Sequence, residues 1–357
     1  LKKKQMVVGL VVLAALVALV VWGRDRMHFD FALFRAQLEL ANWGKIGIGL
    51  VCIYLGYGLR SVRWAVLLRH NKKVGLFTLL GTQVIGFTAI ALIGRVADLV
   101  RPYLVARKTQ MPITNQIAVY IVERLFDAGS MALIFSCVIL FSPAGAVPHP
   151  ELVKKAGLYG LFGTLAGALF LVAVRLAGGF VASLLERGFS IFSHKLGRAV
   201  GQKVHAFHTG LDTIRSFSDF ALTAGLSLAM WLLITAAYLE TMQAFVASPQ
   251  LAEITPAKAV LMMVVSGGAS VLQLPVLGWF TQIGLVATAI SNFFAVPAEA
   301  ATACGATLLL VTFLGIVPVG LIWAQIEHVS LRKVAAESEH AGEALAAEET
   351  ASEAAAS

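Results

Sequence analysis

LFTLLGTQVIGFTAIALI at residues 76–93 runs directly into GRVADLVRPYLVARK at residues 94–108. The first stretch reads as bilayer interior. The second brings Arg95, Asp98 and Arg101 at a spacing of three, so that they line one side of any helical segment they occupy. A hydrocarbon core of ~30 Å needs ~20 apolar residues, and residues 76–93 are short and interrupted by Gly81, Thr82, Gln83, Gly86 and Thr88. A full crossing would leave the basic stretch on the outer side, against the tendency of basic loops to stay cytoplasmic. A re-entrant hairpin or broken helix returns the chain to the side it came from. Irregular backbone at membrane depth is tolerated only against protein or a wet cavity, so on either reading this region points inward, away from lipid.

The rest of the chain supports a membrane setting. Hydrophobic residues make up 58% and charged residues 13%, whereas a soluble domain carries about 25% charge. The expected fold is an all-α polytopic membrane protein with about 7–9 membrane segments, re-entrant or broken helices among them. The net charge of +8 sits in clusters. With no soluble basic domain to carry nucleic-acid binding, positive-inside loops and anionic lipid headgroups account for it better. Cys52, Cys137 and Cys304 lie in apolar segments with neither disulfide nor metal spacing, and read as small buried residues. His205 and His208 sit in a basic loop without carboxylate or thiol partners, so no metal and no cofactor is expected.

Along the chain, LKKKQ precedes an apolar run to Trp22 that reads as an uncleaved first helix with its lysines in the cytoplasm. A second helix is expected over about 44–59. The acid-free RSVRWAVLLRHNKK that follows marks the cytoplasmic side, Arg60, Arg63 and Trp64 reading as interfacial anchors. A long helix runs outward over about 116–141, another returns over about 156–177, and residues 178–218 read as a cytoplasmic amphipathic segment. Residues 219–246 leave again, with Glu240 near water at the outer end. A second broken region, residues 260–296, contains Gly267, Gly268, Pro275 and Gly278, and a last span over 303–325 ends inside. Residues 1–334 form a single transmembrane domain on this reading, and the acidic, alanine-rich residues 335–357 a disordered tail. The two broken regions are entered from opposite sides, the pattern of inverted repeats that meet at a transport site.

Charge inside an apolar helix costs ~2.5–3.5 kcal/mol per residue on insertion scales. IVERLFD at 121–127 places Glu123, Arg124 and Asp127 there, with Glu123 and Asp127 sharing a face at i,i+4. Arg124 lies one residue round and does not obviously neutralise both, so cations from elsewhere are required, and Arg95 and Arg101 are the obvious donors. The expectation is a buried or cavity-lining network joining 94–108 to 123–127. Such a network either clamps helices together or leaves an arginine for an anionic headgroup, since the guanidinium fork suits phosphate; Arg101, beside Pro102, is the preferred gripping residue. Gln273 and Gln282 flank Pro275 and could bind freed backbone or a ligand. Candidate substrate-binding residues are therefore Arg95, Asp98, Arg101, Glu123, Arg124, Asp127, Arg60, Arg63, Gln273 and Gln282. No catalytic motif is apparent.

GRVADLVRPYLVAR resembles the G-R-x-G-E-x-x-R-P-x-L pattern of flippase-like membrane proteins related to the transmembrane domain of lysylphosphatidylglycerol synthases. IVERLFD resembles that family's V-x-E-R-x-x-D motif, and RSVRW is also similar. The likeness spans most of the chain up to the acidic tail. Ala97 and Asp98 stand where Gly and Glu are usual. In LPVLGWFTQIG, Trp279 and Phe280 replace glycine-rich backbone, with Gln282 near the usual acid. The resemblance implies a lipid translocase of the bacterial inner membrane, and the asymmetry of basic loops puts both termini in the cytoplasm. The resemblance also implies a membrane lipid or polyprenyl-linked lipid as partner, with a homodimer allowed and no nucleic acid. A non-transporting lipid-binding or scaffold subunit is the alternative. Nothing resembles the aminoacyl-transferase domain of the synthases, so no lipid-lysylating activity is implied; the chain is expected not to be an enzyme, an intramembrane enzyme using Glu123 or Asp127 being the weaker rival.

Overall fold

The computed structural model describes residues 29–341, apart from 144, 192, 195, 196, 199, 202–215 and 270–276; the side chains of 95, 96, 171, 175, 176, 269 and 277 are also outside the description. The described residues form helices and connections without a strand. The helices are α1 (Phe31–Glu39), α2 (Trp43–Leu68), α3 (Leu76–Ile93), α4 (Val100–Thr109), α5 (Ile113–Leu140), α6 (Pro150–Ser190), α7 (Phe217–Gln243), α8 (Pro249–Ala252), α9 (Pro256–Ala269), α10 (Leu277–Phe294), α11 (Ala298–Thr312) and α12 (Val317–Ile326). A further helix, α13, covers 331–341. This is an all-α polytopic membrane protein. Among the described residues, α2, α3, the first 25 residues of α6, and α7 are long and apolar enough to cross a bilayer. The bent pair from Ala298 to Ile326 makes a fifth candidate if it counts as one span. At 28 residues α5 is long enough as well; three charges at its middle set it apart.

Two pairings organise the molecule. Helices α2 and α7 run together because small residues let their backbones approach: a Cβ added at Gly49 would lie 2.8 Å from Thr241 Oγ1 and 3.2 Å from the Ala237 carbonyl oxygen. Both ends of the pair are pinned by charge. Lys45 reaches Gln243 at 2.7 Å and Glu240 at 3.3 Å, so Glu240 is half-buried and paired rather than simply hydrated. At the other end Asp219 bonds Arg69 and His70, while Ser216 and Asp219 close a capping box at the start of α7.

The second pairing is the α3 hairpin. Helix α3 is apolar all round, as a buried helix must be, and 61% of it is buried. Gly94, at φ +94°, breaks it, a 3-10 turn covers Arg95–Leu99, and α4 folds back along α3. Gly86 permits the return: a Cβ there would sit 2.2 Å from Arg101 Cγ. The broken-helix expectation for residues 75–93 therefore describes this hairpin.

Several boundaries differ from expectation. Helix α2 does not stop near Leu59 but runs to Leu68, because RSVRWAVLL contains no breaker, so Arg60 and Arg63 stand in a helix interior. Helix α6 runs from Pro150 to Ser190 and is interrupted at Ala177 (φ −140°, ψ 43°), immediately before Gly178 and Gly179. The last span is broken rather than straight, bending by 43° between α11 and α12, where Gly315 and Pro318 interrupt the helix. The acidic tail is not wholly disordered: residues 335–341 belong to α13, with Val334, Ala335 and Ser338 buried. Apolar side chains at 331, 334 and 335 give this segment a face that packs against α3 and α4. The first helix, His205 and His208, and Gln273 with Pro275 lie outside the described residues. Cys304 is fully buried, and Cys52 and Cys137 are half-buried free thiols.

Candidate functional site

The charges in the middle of α5 meet those of α2. Glu123 and Asp127 are both buried, on one face as the i,i+4 spacing requires. Arg63 lies between them. It donates to Asp127 Oδ1 at 2.6 Å and to Glu123 Oε1 at 2.7 Å, with a further bond to Ser227 Oγ of α7 at 2.7 Å. Arg60, one turn earlier on α2, donates to the same two carboxylates, at 3.2 Å in each case. The Trp231 indole adds a bond to Asp127 at 3.3 Å. Arg60 and Arg63 are therefore not interfacial anchors; their helix carries them inward, with only 1% of the Arg63 side chain exposed. Trp64 is likewise buried, donating to Gln116 at 3.2 Å.

From the hairpin, Arg101 reaches Glu123 at 3.2 and 3.3 Å and Gln83 Oε1 at 2.7 Å. Its guanidinium lies over Phe87, 4.5 Å from the ring centre, a favourable place for a desolvated cation. The network joining 94–108 to 123–127 is thus present, through Arg101. Asp98 is half-buried on the 3-10 turn, whereas the Arg95 side chain is not described. Arg124 does reach both acids, at 3.4 and 3.5 Å, despite its position one residue round, and its side chain remains 42% exposed. Gln282 is buried and donates to Ser266 at 3.2 Å. Gln83, Ser227 and Trp231 are members that sequence reasoning missed: a single Gln, Ser or Trp in an apolar run carries no signal of where its helix turns.

The cluster is rich in donors and short of acceptors. Four guanidiniums face two carboxylates, and Glu123 Oε1 alone receives Arg60, Arg63, Arg101 and Arg124. The Nε of Arg63, the Nε of Arg101 and the Nε2 of Gln83 are buried donors without an acceptor. Arg60, Asp98, Arg101 and Arg124 open onto a cavity of about 280 Å³, closed on its far side by residues of α7, α9, α10 and α11. Residues of the α3 hairpin and of 260–296, the two regions that the sequence marks as interrupted, therefore line one cavity. A guanidinium left partly free on a positive wall is suited to a phosphate oxygen.

The family model described as lysylphosphatidylglycerol synthase TM region matches residues 6–320. The chain belongs to this family. Comparison with curated proteins and with solved structures finds no match. As a member of the lysylphosphatidylglycerol synthase TM region family, the protein is a membrane protein related to lipid handling. Within it, the two features that depart from the resembled pattern have clear surroundings. Asp98 lines the cavity. Trp279 donates from Nε1 to the Ala91 carbonyl at 3.1 Å, satisfying one of the last carbonyls of α3, which has no helical partner.

Proposed function

We propose that this protein is a lipid translocase, not an enzyme, moving an anionic or lipid-linked substrate between the leaflets of a bacterial inner membrane with both termini cytoplasmic. The observation that carries the reading is Arg124: its side chain is 42% exposed on a cavity whose charged wall, among the described side chains, has more cations than carboxylates. Arg101, preferred from sequence, is 1% exposed, with both terminal nitrogens engaged by Gln83 and Glu123. The gripping role therefore falls to Arg124, aided by Arg60, while Arg63 and Arg101 hold the carboxylates. A non-transporting lipid-binding or scaffold subunit needs no cavity between two broken helical regions, so the cavity favours translocation.

The test is leaflet-resolved transport in proteoliposomes. Because Arg124 is half-exposed and the acids keep three other cations, Arg124→Gln should fold with a nearly unchanged unfolding midpoint. Its anionic-lipid transport should fall ~10-fold or more, the scale of one lost charge-assisted contact. Full transport by folded Arg124→Gln would leave the network as a structural clamp.

A further inference from the structure

The two sides of the cavity differ in chemistry. Arg60, Asp98, Arg101 and Arg124 occupy the side built by α2, the hairpin and α5. On the opposite side, Gln282 donates to Ser266, and Tyr238 and Thr312 bring two more hydroxyls to the same side of the cavity. All four of these side chains line the cavity and none is charged. Helix α7 gives the separation. Trp231, bonded to Asp127, and Tyr238 are both on it, seven residues or ~10 Å apart along the axis. The one lining carboxylate among the described side chains, Asp98, is on the guanidinium side, near enough to be among the electrostatic partners of Arg124. At the hydroxyl side there is no described carboxylate to receive an ammonium group.

Size narrows the ligand further. A cavity of about 280 Å³ lies at the small end of the ~300–1,000 Å³ range of ligand pockets. That suits a phosphate with one small substituent better than an oligosaccharide.

Resting on the lipid-binding reading above, we infer that the cavity selects a phosphodiester headgroup whose remaining part is small, uncharged and hydroxylated. The phosphate sits at the Arg124 side and the hydroxyls at the Tyr238–Ser266–Gln282–Thr312 side. A headgroup bearing an ammonium, including an aminoacylated one, is disfavoured because it would place a second cation in a site already carrying a positive excess.

The test is native mass spectrometry of the full chain in detergent. Phosphatidylglycerol is compared with lysyl-phosphatidylglycerol, phosphatidylethanolamine and phosphatidic acid. Phosphatidylglycerol should bind ~10-fold tighter than either ammonium-bearing lipid, the discrimination expected of one mispaired charge. Tyr238→Phe and Ser266→Ala, which each delete only a hydroxyl, should weaken phosphatidylglycerol ~3–10-fold and leave phosphatidic acid unchanged, as for loss of a neutral hydrogen bond. Arg124→Gln should weaken both. Equal binding of lysyl-phosphatidylglycerol with dependence on Arg124 intact would overturn the headgroup assignment alone. So would a parallel loss of phosphatidic acid in the hydroxyl variants. If no lipid responds to Arg124→Gln, the lipid-binding reading itself fails.

Discussion

On one wall of the cavity α2, the 3-10 turn, α4 and α5 each contribute a charge; on the facing wall α7, α9, α10 and α11 contribute none. The charged wall has to balance itself, since an isolated ion in a buried setting costs several kcal/mol. It does so by sharing: two carboxylates are each bound by at least three guanidiniums. The neutral wall faces no such requirement, because hydroxyls and an amide carry no net charge to balance. Charge therefore fixes the position of one wall tightly. Substitutions should differ in kind: those at the buried arginines that hold the carboxylates act on folding, whereas Arg124→Gln and the hydroxyl variants of the neutral wall act on recognition.

The comparison breaks most visibly at Arg63. It contacts Glu123, Asp127 and Ser227 from a position 1% exposed. Arg63→Ala takes from the two buried carboxylates their shortest hydrogen bonds, at 2.6 and 2.7 Å, and should cost about 3–5 kcal/mol, seen as loss of folded protein in detergent thermal unfolding. Arg63→Ala with Asp127→Asn should recover a large part of that loss, because the carboxylate that lost its shortest partner becomes a neutral amide, cheaper to bury. No recovery would mean that packing, not charge, holds α2 against α5.

The hairpin sharpens the same point through shape. Gly86→Ala places a methyl group where Arg101 Cγ now lies. Arg101 is fixed by Gln83 and Glu123 and has little freedom to yield, so the expected cost is about 1–3 kcal/mol of overpacking. A midpoint equal to wild type would show that α4 can slide along α3. On the outer side of α4, truncation after Val334 removes the buried Ala335 and Ser338 and the Glu337 bond to the Tyr103 hydroxyl at 2.9 Å. The same thermal measurement should register a loss of about 1–2 kcal/mol. A shift within error would return 335–341 to the status of a dispensable tail.

The contrast between walls also explains what could be read beforehand. Glu123, Arg124 and Asp127 stand out because charge in an apolar helix demands partners, and Arg101 follows from that demand. Arg60 and Arg63 could not be separated from ordinary positive-inside residues, since the decisive fact is which face of α2 meets α5 and α7, and that is set when the helices pack. Gln83 and Ser227 carry no such demand, and their roles emerge only when the helices are oriented. The tail misled for a similar reason: its acidic and alanine-rich composition conceals a short apolar stripe at 331, 334 and 335 that has meaning only beside α4.

The smallest expected effect lies where the two broken regions touch. Trp279 comes from α10, on the uncharged side, and donates to the Ala91 carbonyl near the end of α3. Phenylalanine at this half-buried position keeps an aromatic ring and deletes the N–H together with one ring of the indole. Trp279→Phe should therefore cost about 0.5–1.5 kcal/mol, the net worth of one neutral hydrogen bond, leaving Arg124-dependent lipid binding in place. Backbone amide hydrogen exchange provides the local measurement. Faster exchange should be confined to residues 90–99, where the end of α3 and the 3-10 turn lose their tether. Acceleration spreading along α2 and α5 would mean instead that the uncharged side of the molecule helps hold the arginine cluster together, and the division of labour between the two walls would have to be abandoned.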